Sequence, residues 1–324
     1  MVYSDQLARL LALSRGFMEA RIFLTAVQLG IFPAIGEGSP TADELAARIG
    51  ADRRALVVLL NALVAQRLLA KEGERFANIA EVAKLLEPPG PDRSTGFEHA
   101  VDMWDAWSRL SNVVTTGTPV RPPQRQDASR ESAAAMDLYS KMQAGPLIRI
   151  LDCSGVGCLL DLGGGTGTYT LEMAKRHPQL RAVIFDANEA ALRIARERAA
   201  RDDLLDRVCL RRGDFRRDDI GNGYDMVLMA SVICLLGEQE NLALIGRVYE
   251  ALNRGGQLVI SDAMVNASGT NPSAAAVFGV HMLVTTGQGQ AYPYEQVSRW
   301  LRSAGFSGIQ RIPLGDGCVI MARR

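Results

Sequence analysis

Histidine is scarce in this chain and cysteine is unpatterned. Only three histidines occur in 324 residues (His99, His177 and His281), with no HExxH and no His/Cys cluster, so no dedicated metal site is expected. The cysteines (Cys153, Cys158, Cys209, Cys234, Cys318) are odd in number and form no CxxC pair, which reads as buried thiols in a reducing compartment. Net charge is missing too. Lys and Arg together number 36, as do Asp and Glu, which removes the electrostatic basis for nucleic acid or an acidic membrane as the main partner. No early apolar run reaches the ~20 residues of a membrane span; the longest, 22–36, contains Gln28, Gly30 and Pro33. Charges at Asp5, Arg9, Arg15, Glu19 and Arg21 interrupt any signal-peptide core. Together these absences predict a soluble, cytoplasmic protein of ordinary globular composition, without repeats or low-complexity tracts.

The length suits two domains. Residues 4–30 carry apolar side chains at helical spacing (Leu7, Leu10, Leu11, Leu13, Phe17, then Ile22, Phe23, Leu24, Val27, Leu29), a surface that a second copy of the chain would cover. Thr41 and Glu44 form a capping box that opens a helix over 42–49. Gly50 ends it, Asp52 caps a second helix over 53–65, and a hairpin of 68–71 and 75–77 turns at Gly73. Helix, turn, helix and wing suggest a winged-helix unit. A DNA-recognition helix needs polar and basic side chains, whereas this one is apolar from Ala55 to Leu63, with basic residues only at Arg53, Arg54 and Arg67. It is expected to be a core element, and DNA binding is the weaker reading.

Residues 91–150 read as a bridge. A helix is expected over 97–114, a loop over 117–132 containing Pro119, Pro122 and Pro123, and a helix over 136–150 interrupted near Gly145–Pro146. Trp104, Trp107, Met136, Tyr139 and Met142 suit the wall of a planar-substrate pocket, and equally ordinary interdomain packing. From residue 156 strands and helices alternate, which implies a parallel α/β sheet. The strands are expected at 156–162, 182–185, 207–210, 224–229 and 257–260, followed by a helix over 294–303 and a terminal hairpin.

The stretch around which the chain is organised runs from Leu159 to Tyr169. An apolar strand ends in Asp161-Leu162-Gly163-Gly164-Gly165-Thr166-Gly167, and a helix follows. Glycines let the backbone approach a ligand, and the free N–H groups of the helix start favour an anion. Dinucleotides and S-adenosylmethionine both fit such a cradle. The dinucleotide fingerprint is GxGxxG; here Gly163-x-Gly165-x-Gly167 is followed by Thr168, and Asp161 stands just ahead. This GxGxG form favours S-adenosylmethionine.

Three acidic residues stand at the ends of later strands, where ligands of doubly wound sheets bind. Asp186 follows Phe185 and suits two ribose hydroxyls. Asp214 suits an adenine amino group, with Phe215 packed on the ring. Asp262 ends the fifth strand of the set. Each alone reads equally well as a turn carboxylate, but their common register with GxGxG points to the cofactor.

With these residues in view, the chain resembles the caffeate-type O-methyltransferase family of plants and its bacterial secondary-metabolism branch over nearly its whole length. The matching pieces are Asp161–Gly165, Phe185–Asp186, Gly213–Phe215, Leu252-x-x-Gly255-Gly256-Gln257-Leu258 and His281–Val284. The resemblance implies an α/β protein: a Rossmann-like class I methyltransferase sheet behind an N-terminal α-helical winged-helix dimerisation domain. It implies a dimerisation domain over 1–90, a helical bridge lining the substrate pocket over 91–150 and a cofactor domain over 151–324. It also implies a homodimer with S-adenosylmethionine held by Asp161, Gly163, Gly165, Gly167, Asp186, Asp214, Phe215 and Ser231, where Ser231 replaces a family lysine. The substrate pocket would take in Trp104, Met136, Tyr139, Met142, Leu235, His281 and Met282.

The sequence departs from that family at the base. The segment that normally carries His-Asp-Trp reads Ser231-Val232-Ile233-Cys234-Leu235-Leu236, which puts Leu235 at the histidine position. Ala291 replaces an acidic helper, and Asp262 alone keeps an acidic partner position. Asp262 and His281 are the remaining catalytic candidates, although the family's His-Met-Leu context gives His281 a structural explanation. The resemblance extends to a phenazine N-methyltransferase and a bacteriochlorophyllide C-methyltransferase, which also lack the histidine. The expected activity is therefore N- or C-methylation of a planar small molecule by proximity and orientation. The competing expectations are O-methylation with a relocated base, a decarboxylase or pericyclase that keeps the cofactor as a bound cation, and a winged-helix regulator.

Overall fold

The computed structural model describes residues 2–86, 96–120, 128–315 and 317–324, and the chain divides into two compact units, Met1–Met103 and Trp104–Arg324. The first unit opens with α1 (Val2–Arg15), α2 (Phe17–Gln28) and the short α3 (Ile31–Ile35). The capping box forms as expected: the Glu44 N–H donates to Thr41 Oγ1 at 3.3 Å, and the Thr41 N–H donates to the Glu44 carboxylate at 2.7 Å. It starts α4 (Ala42–Ile49), which Gly50 ends at φ +67°. Asp52 accepts the Ala55 N–H at 2.8 Å and starts α5 (Arg53–Ala65). A hairpin of β1 (Leu69–Glu72) and β2 (Arg75–Asn78) and a helix α6 (Ala80–Leu86) follow.

Leu56, Leu60 and Leu63 recur at helical spacing on α5 and bury that face against Phe32, Leu45 and Phe76. The helix is a core element of its unit. By contrast, Leu7, Leu10, Leu11, Leu13, Phe17 and Met18 on α1 and α2 are exposed. The unit boundary falls inside α7 (Phe97–Trp107).

The second unit adds α8 (Leu110–Thr116) and α9 (Ala128–Ile150), and then alternates: β3 (Cys158–Leu162), α10 (Thr168–Arg176), β4 (Arg181–Asp186), α11 (Glu189–Arg201), β5 (Val208–Arg212), β6 (Tyr224–Ala230), α12 (Glu238–Ala251) and β7 (Leu252–Asp262). It closes with α13 (Ser273–Thr285), α14 (Tyr294–Ser303), β8 (Ser307–Leu314) and β9 (Gly317–Arg323). The seven strands lie in the order β5-β4-β3-β6-β7-β9-β8, with β3 to β7 parallel and β9 antiparallel to both of its neighbours. Both sheet faces are covered. Leu160, Val227 and Ile260 point into one apolar core, and Leu159, Ile184, Leu228 and Val259 into the other. Burial on both faces explains why these strands read as unbroken apolar runs. Among the described residues no helix is long and apolar enough to cross a membrane.

Several expected elements are corrected by the structure. The helix expected over 97–114 is two helices that part at Ser108–Arg109, where no glycine or proline marks the break. The helix expected to be interrupted at Gly145–Pro146 runs unbroken from Ala128 to Ile150 with Pro146 inside it. An interior proline costs about 3 kcal/mol, and the burial of Ala144, Leu147 and Ile148 in the core beneath it offsets that cost. The loop expected over 117–132 therefore ends by residue 128, while Pro122 and Pro123 lie outside the described residues. Helix α13 had no expectation at all, because Ser-Ala-Ala-Ala-Val-Phe-Gly-Val is apolar or small on every side and shows no helical period.

Candidate active site

The site is built on hydrogen bonds between strand ends. Leu162 pairs with Phe185, Asp186 with Arg212, and Ala230 with Ser261, so the C-terminal ends of β3 to β7 lie along one edge. Beyond that edge the Phe185 carbonyl accepts the N–H groups of Gly163 and Gly164, at 2.8 and 3.3 Å. Gly213 N–H donates to the Asp186 carbonyl at 3.0 Å, and Ser231 N–H to the Ser261 carbonyl at 2.8 Å. A β-carbon on Gly163 would lie 2.8 Å from Val232 Cγ2 and 3.5 Å from the Phe215 ring. Three loops, from 163, 215 and 232, therefore converge at one point that admits only glycine. Ser231 itself holds φ +55°, the left-handed region that a serine seldom adopts.

Asp161 lies buried beneath this cradle. Thr170 Oγ1 donates to its Oδ2 at 2.6 Å, while its Oδ1 has no hydrogen-bond partner. Burial, with the nearby Asp186 charge adding to it and the Thr170 bond opposing, pushes the carboxyl up to about 7. Asp186, the last residue of β4, accepts the Gly165 N–H at 2.8 Å and the Asn188 N–H at 2.7 Å. Burial also raises its pKa, against the pull of those N–H groups. Asp214 accepts the Arg216 N–H at 3.0 Å and faces Arg217 at 3.4 Å, so its carboxylate folds the 214–218 turn. Arg247 holds that turn from outside by donating to the Phe215 and Asp218 carbonyls.

Leu235 stands on a 3-10 turn (Ile233–Leu235) with 36% of its surface exposed. Behind it the buried Asp262 accepts the Cys234 and Ala263 N–H groups, at 3.3 and 2.8 Å, and burial lifts its carboxyl to about 6. Burial followed by the Asp262 charge pushes the Cys234 thiol well up, so it is no thiolate. On α13, His281 Nδ1 accepts the Trp107 indole N–H at 3.3 Å, and the two rings stack 6.3 Å apart at 16°. Met282 is buried and Trp104 is half-buried. Met136, Tyr139 and Met142 form a stripe on the exposed face of α9.

One carboxylate in the site carried no sequence expectation. Asp137, buried on α9, accepts Thr166 Oγ1 at 2.8 Å, Thr168 Oγ1 at 2.6 Å and both Nη atoms of Arg198, at 2.6 and 2.5 Å. Lys141 stands 2.7 Å from its other edge. Burial would raise its pKa, but the bonds from Arg198, Lys141 and Thr168 outweigh it and hold the carboxyl far below the usual range. The only sequence signal was an acid with Lys141 one turn on, a pattern common on solvated helix faces.

A glycine cradle at the edge of this strand order, with carboxylates at successive strand ends, defines a class I methyltransferase dependent on S-adenosylmethionine. The orphaned Asp161 oxygen and the glycine-only convergence fit that cofactor, which carries both cationic and hydrogen-bonding groups. The family profile of the O-methyltransferase domain matches residues 122–307, and that of the O-methyltransferase dimerisation domain matches 11–87. The chain belongs to the O-methyltransferase family. Its relatives include transferases to oxygen, nitrogen and carbon. A 3-hydroxy-5-methyl-1-naphthoate 3-O-methyltransferase of Streptomyces sahachiroi is 30% identical over 310 residues, covering 93% of this chain and 89% of its own. The N,N-dimethyltransferase OxyT of Streptomyces rimosus is 28% identical, covering 98% and 97%. The structure of an O-methyltransferase family protein from Burkholderia thailandensis superposes with a TM-score of 0.85 at 26% identity, covering 98% of each chain.

The raised Asp161 carboxyl yields a pH prediction. In the folded state it keeps a proton up to about 7, whereas an unfolded aspartate releases it near ~3.9. Native stability therefore falls as pH rises through that window. Asp161→Asn, whose amide does not titrate, is expected to remove this part of the loss. Urea unfolding of cofactor-free wild type and variant should diverge between pH 4 and 7 by on the order of 1–3 kcal/mol. Asp262 contributes equally to both proteins. Parallel pH curves would overturn the assignment.

Proposed function

We propose that this methyltransferase works as a homodimer and methylates a nitrogen or carbon atom of a planar small molecule of secondary metabolism, without a histidine general base. The observation that carries this reading is Leu235 on the turn after β6, where the resemblance puts the family's base. The bond from Trp107 to His281 Nδ1 supports it. A neutral imidazole that accepts at Nδ1 carries its proton on Nε2 and keeps no lone pair free for a substrate proton. The Asp262 carboxyl is buried behind the turn with both oxygens engaged.

When bound, the cofactor supplies a methyl group already activated on a sulfonium. The residues of this chain then have three tasks. Asp161 and the loop 163–167 receive the methionine end, Asp186 accepts from the ribose, and Asp214 with Phe215 receives the adenine. Trp104, Met136, Tyr139, Met142, Leu235, His281 and Met282 wall the acceptor. In-line positioning alone accounts for several kcal/mol of barrier reduction, enough for an acceptor that needs no deprotonation.

Cofactor binding is tested by titrating S-adenosylhomocysteine into Asp186→Ala. Hydrogen bonds to a carboxylate contribute roughly 1.5–3 kcal/mol each, so affinity should fall at least tenfold; unchanged binding in a folded variant would sink the ribose assignment. The mechanism is tested with His281→Ala once an acceptor is identified, by following S-adenosylhomocysteine release. Turnover within about tenfold of wild type is expected, since a general base contributes about 10²–10⁴-fold. A thousandfold loss with binding intact would restore O-methylation with a relocated base, and turnover without S-adenosylhomocysteine would indicate a non-methylating enzyme.

The dimer reading rests on the exposed apolar residues of α1 and α2 and on the matched dimerisation domain. Light scattering at micromolar concentration should report twice the 35.1 kDa chain mass. A stable monomer would count against it.

A further inference from the structure

A loop made of glycines has no side chains with which to hold its own shape. Between Gly163 and Thr168 the only side chains are those of Thr166 and Thr168, and both are buried. Their hydroxyls converge on a single atom, Oδ1 of Asp137, from a helix that precedes the whole α/β alternation in sequence. Arg198 of α11 closes the arrangement: its guanidinium takes both Asp137 oxygens, and Nη1 also reaches Thr168 Oγ1 at 3.2 Å. The loop is thus held on one side by the Phe185 carbonyl and the Asp186 carboxylate, and on the other by Asp137.

We propose that Asp137 is a positioning residue for cofactor binding, holding the glycine loop in its ligand-ready conformation through the hydroxyls of Thr166 and Thr168. This rests on the cofactor being S-adenosylmethionine held by that loop. Two features separate the role from a plain helix-to-helix ion pair. Such a pair needs only Arg198, yet two loop hydroxyls occupy the same carboxylate oxygen. Moreover Gly165 and Gly167, at φ +53° and +74°, flank Thr166 in conformations with many alternatives for glycine, so the threonine anchors remove freedom the loop would otherwise have to lose on binding. The same bonds fix the rotation of α9. At about 100° per residue, Met136, Tyr139 and Met142 lie roughly 100–160° around the helix from Asp137, so one carboxylate sets both the cofactor loop and the direction in which that stripe points.

The test is calorimetric titration of S-adenosylhomocysteine into full-length wild type, Asp137→Asn, Thr168→Val and Thr168→Ser. Loop positioning predicts a dissociation constant raised at least tenfold in Asp137→Asn and at least fivefold in Thr168→Val, with stoichiometry unchanged. Thr168→Ser, which keeps the hydroxyl, should stay within twofold of wild type. A purely structural role would lower the stoichiometry or the melting temperature and leave the dissociation constant of the folded fraction alone; that result overturns the proposal. So does equal weakening in Thr168→Val and Thr168→Ser. If Asp137→Asn does not fold, the Thr168 pair decides. A wild type that binds no S-adenosylhomocysteine overturns the cofactor reading itself, whereas wild-type binding with unaffected variants overturns only the role of Asp137.

Discussion

The Phe185 carbonyl accepts two consecutive glycine N–H groups, and the geometry of the whole site descends from that contact. A carbonyl at the end of β4 can reach the loop after β3 only because the strands are parallel, adjacent and in register, Leu162 beside Phe185. Parallel register in turn requires α10 to cross between the strands and cover the sheet. Gly213 extends the same logic one strand further: its N–H donates to Asp186, and a β-carbon there would overlap the Phe185 ring. The Phe185 ring at Gly213 and the Val232 side chain at Gly163 therefore define where backbone must remain bare.

The carboxylates divide by how their burial is compensated. Asp137 receives a guanidinium, an ammonium and two hydroxyls, which hold its carboxyl far below the usual range. Asp161 receives one hydroxyl and keeps an oxygen without a partner, so burial wins and the carboxyl is raised. Leaving a buried acceptor unsatisfied costs about 1–3 kcal/mol. Such a cost at the floor of a ligand cradle is the pattern expected where the missing partner arrives with the ligand. The fold carries this local instability on a sheet with apolar cores on both faces.

In the turn after β6, Cys234 and Leu235 sit over a carboxylate, Asp262, which accepts the Cys234 N–H of that turn and the N–H of its own neighbour Ala263. The loop 286–290 closes over that turn, with Gln288 against Gly237 and the Gly289 backbone against the Cys234 carbonyl. Relatives that share the fold transfer methyl groups to oxygen, nitrogen and carbon, which is consistent with the scaffold supplying position and a few side chains supplying the rest.

Local rules settled much of this protein in advance. The capping box at Thr41, the cap at Asp52, the apolar strands and the GxGxG turn each depend on residues close in sequence, and each formed where its pattern stood. Asp186, Asp214 and Asp262 were legible because a strand end is a local feature whose position in a parallel sheet is known beforehand. What remained hidden depends on distant partners. Asp137 gains its meaning from Thr166, Thr168 and Arg198, up to 61 residues away. The ring of His281 meets an indole 174 residues distant. Helix α9 survives Pro146 because a core packed beneath it outweighs a local rule. Sequence alone determined the sheet and its cradle. Only tertiary packing decided which buried charge is neutralised, because compensation of a charge depends on what surrounds it in space.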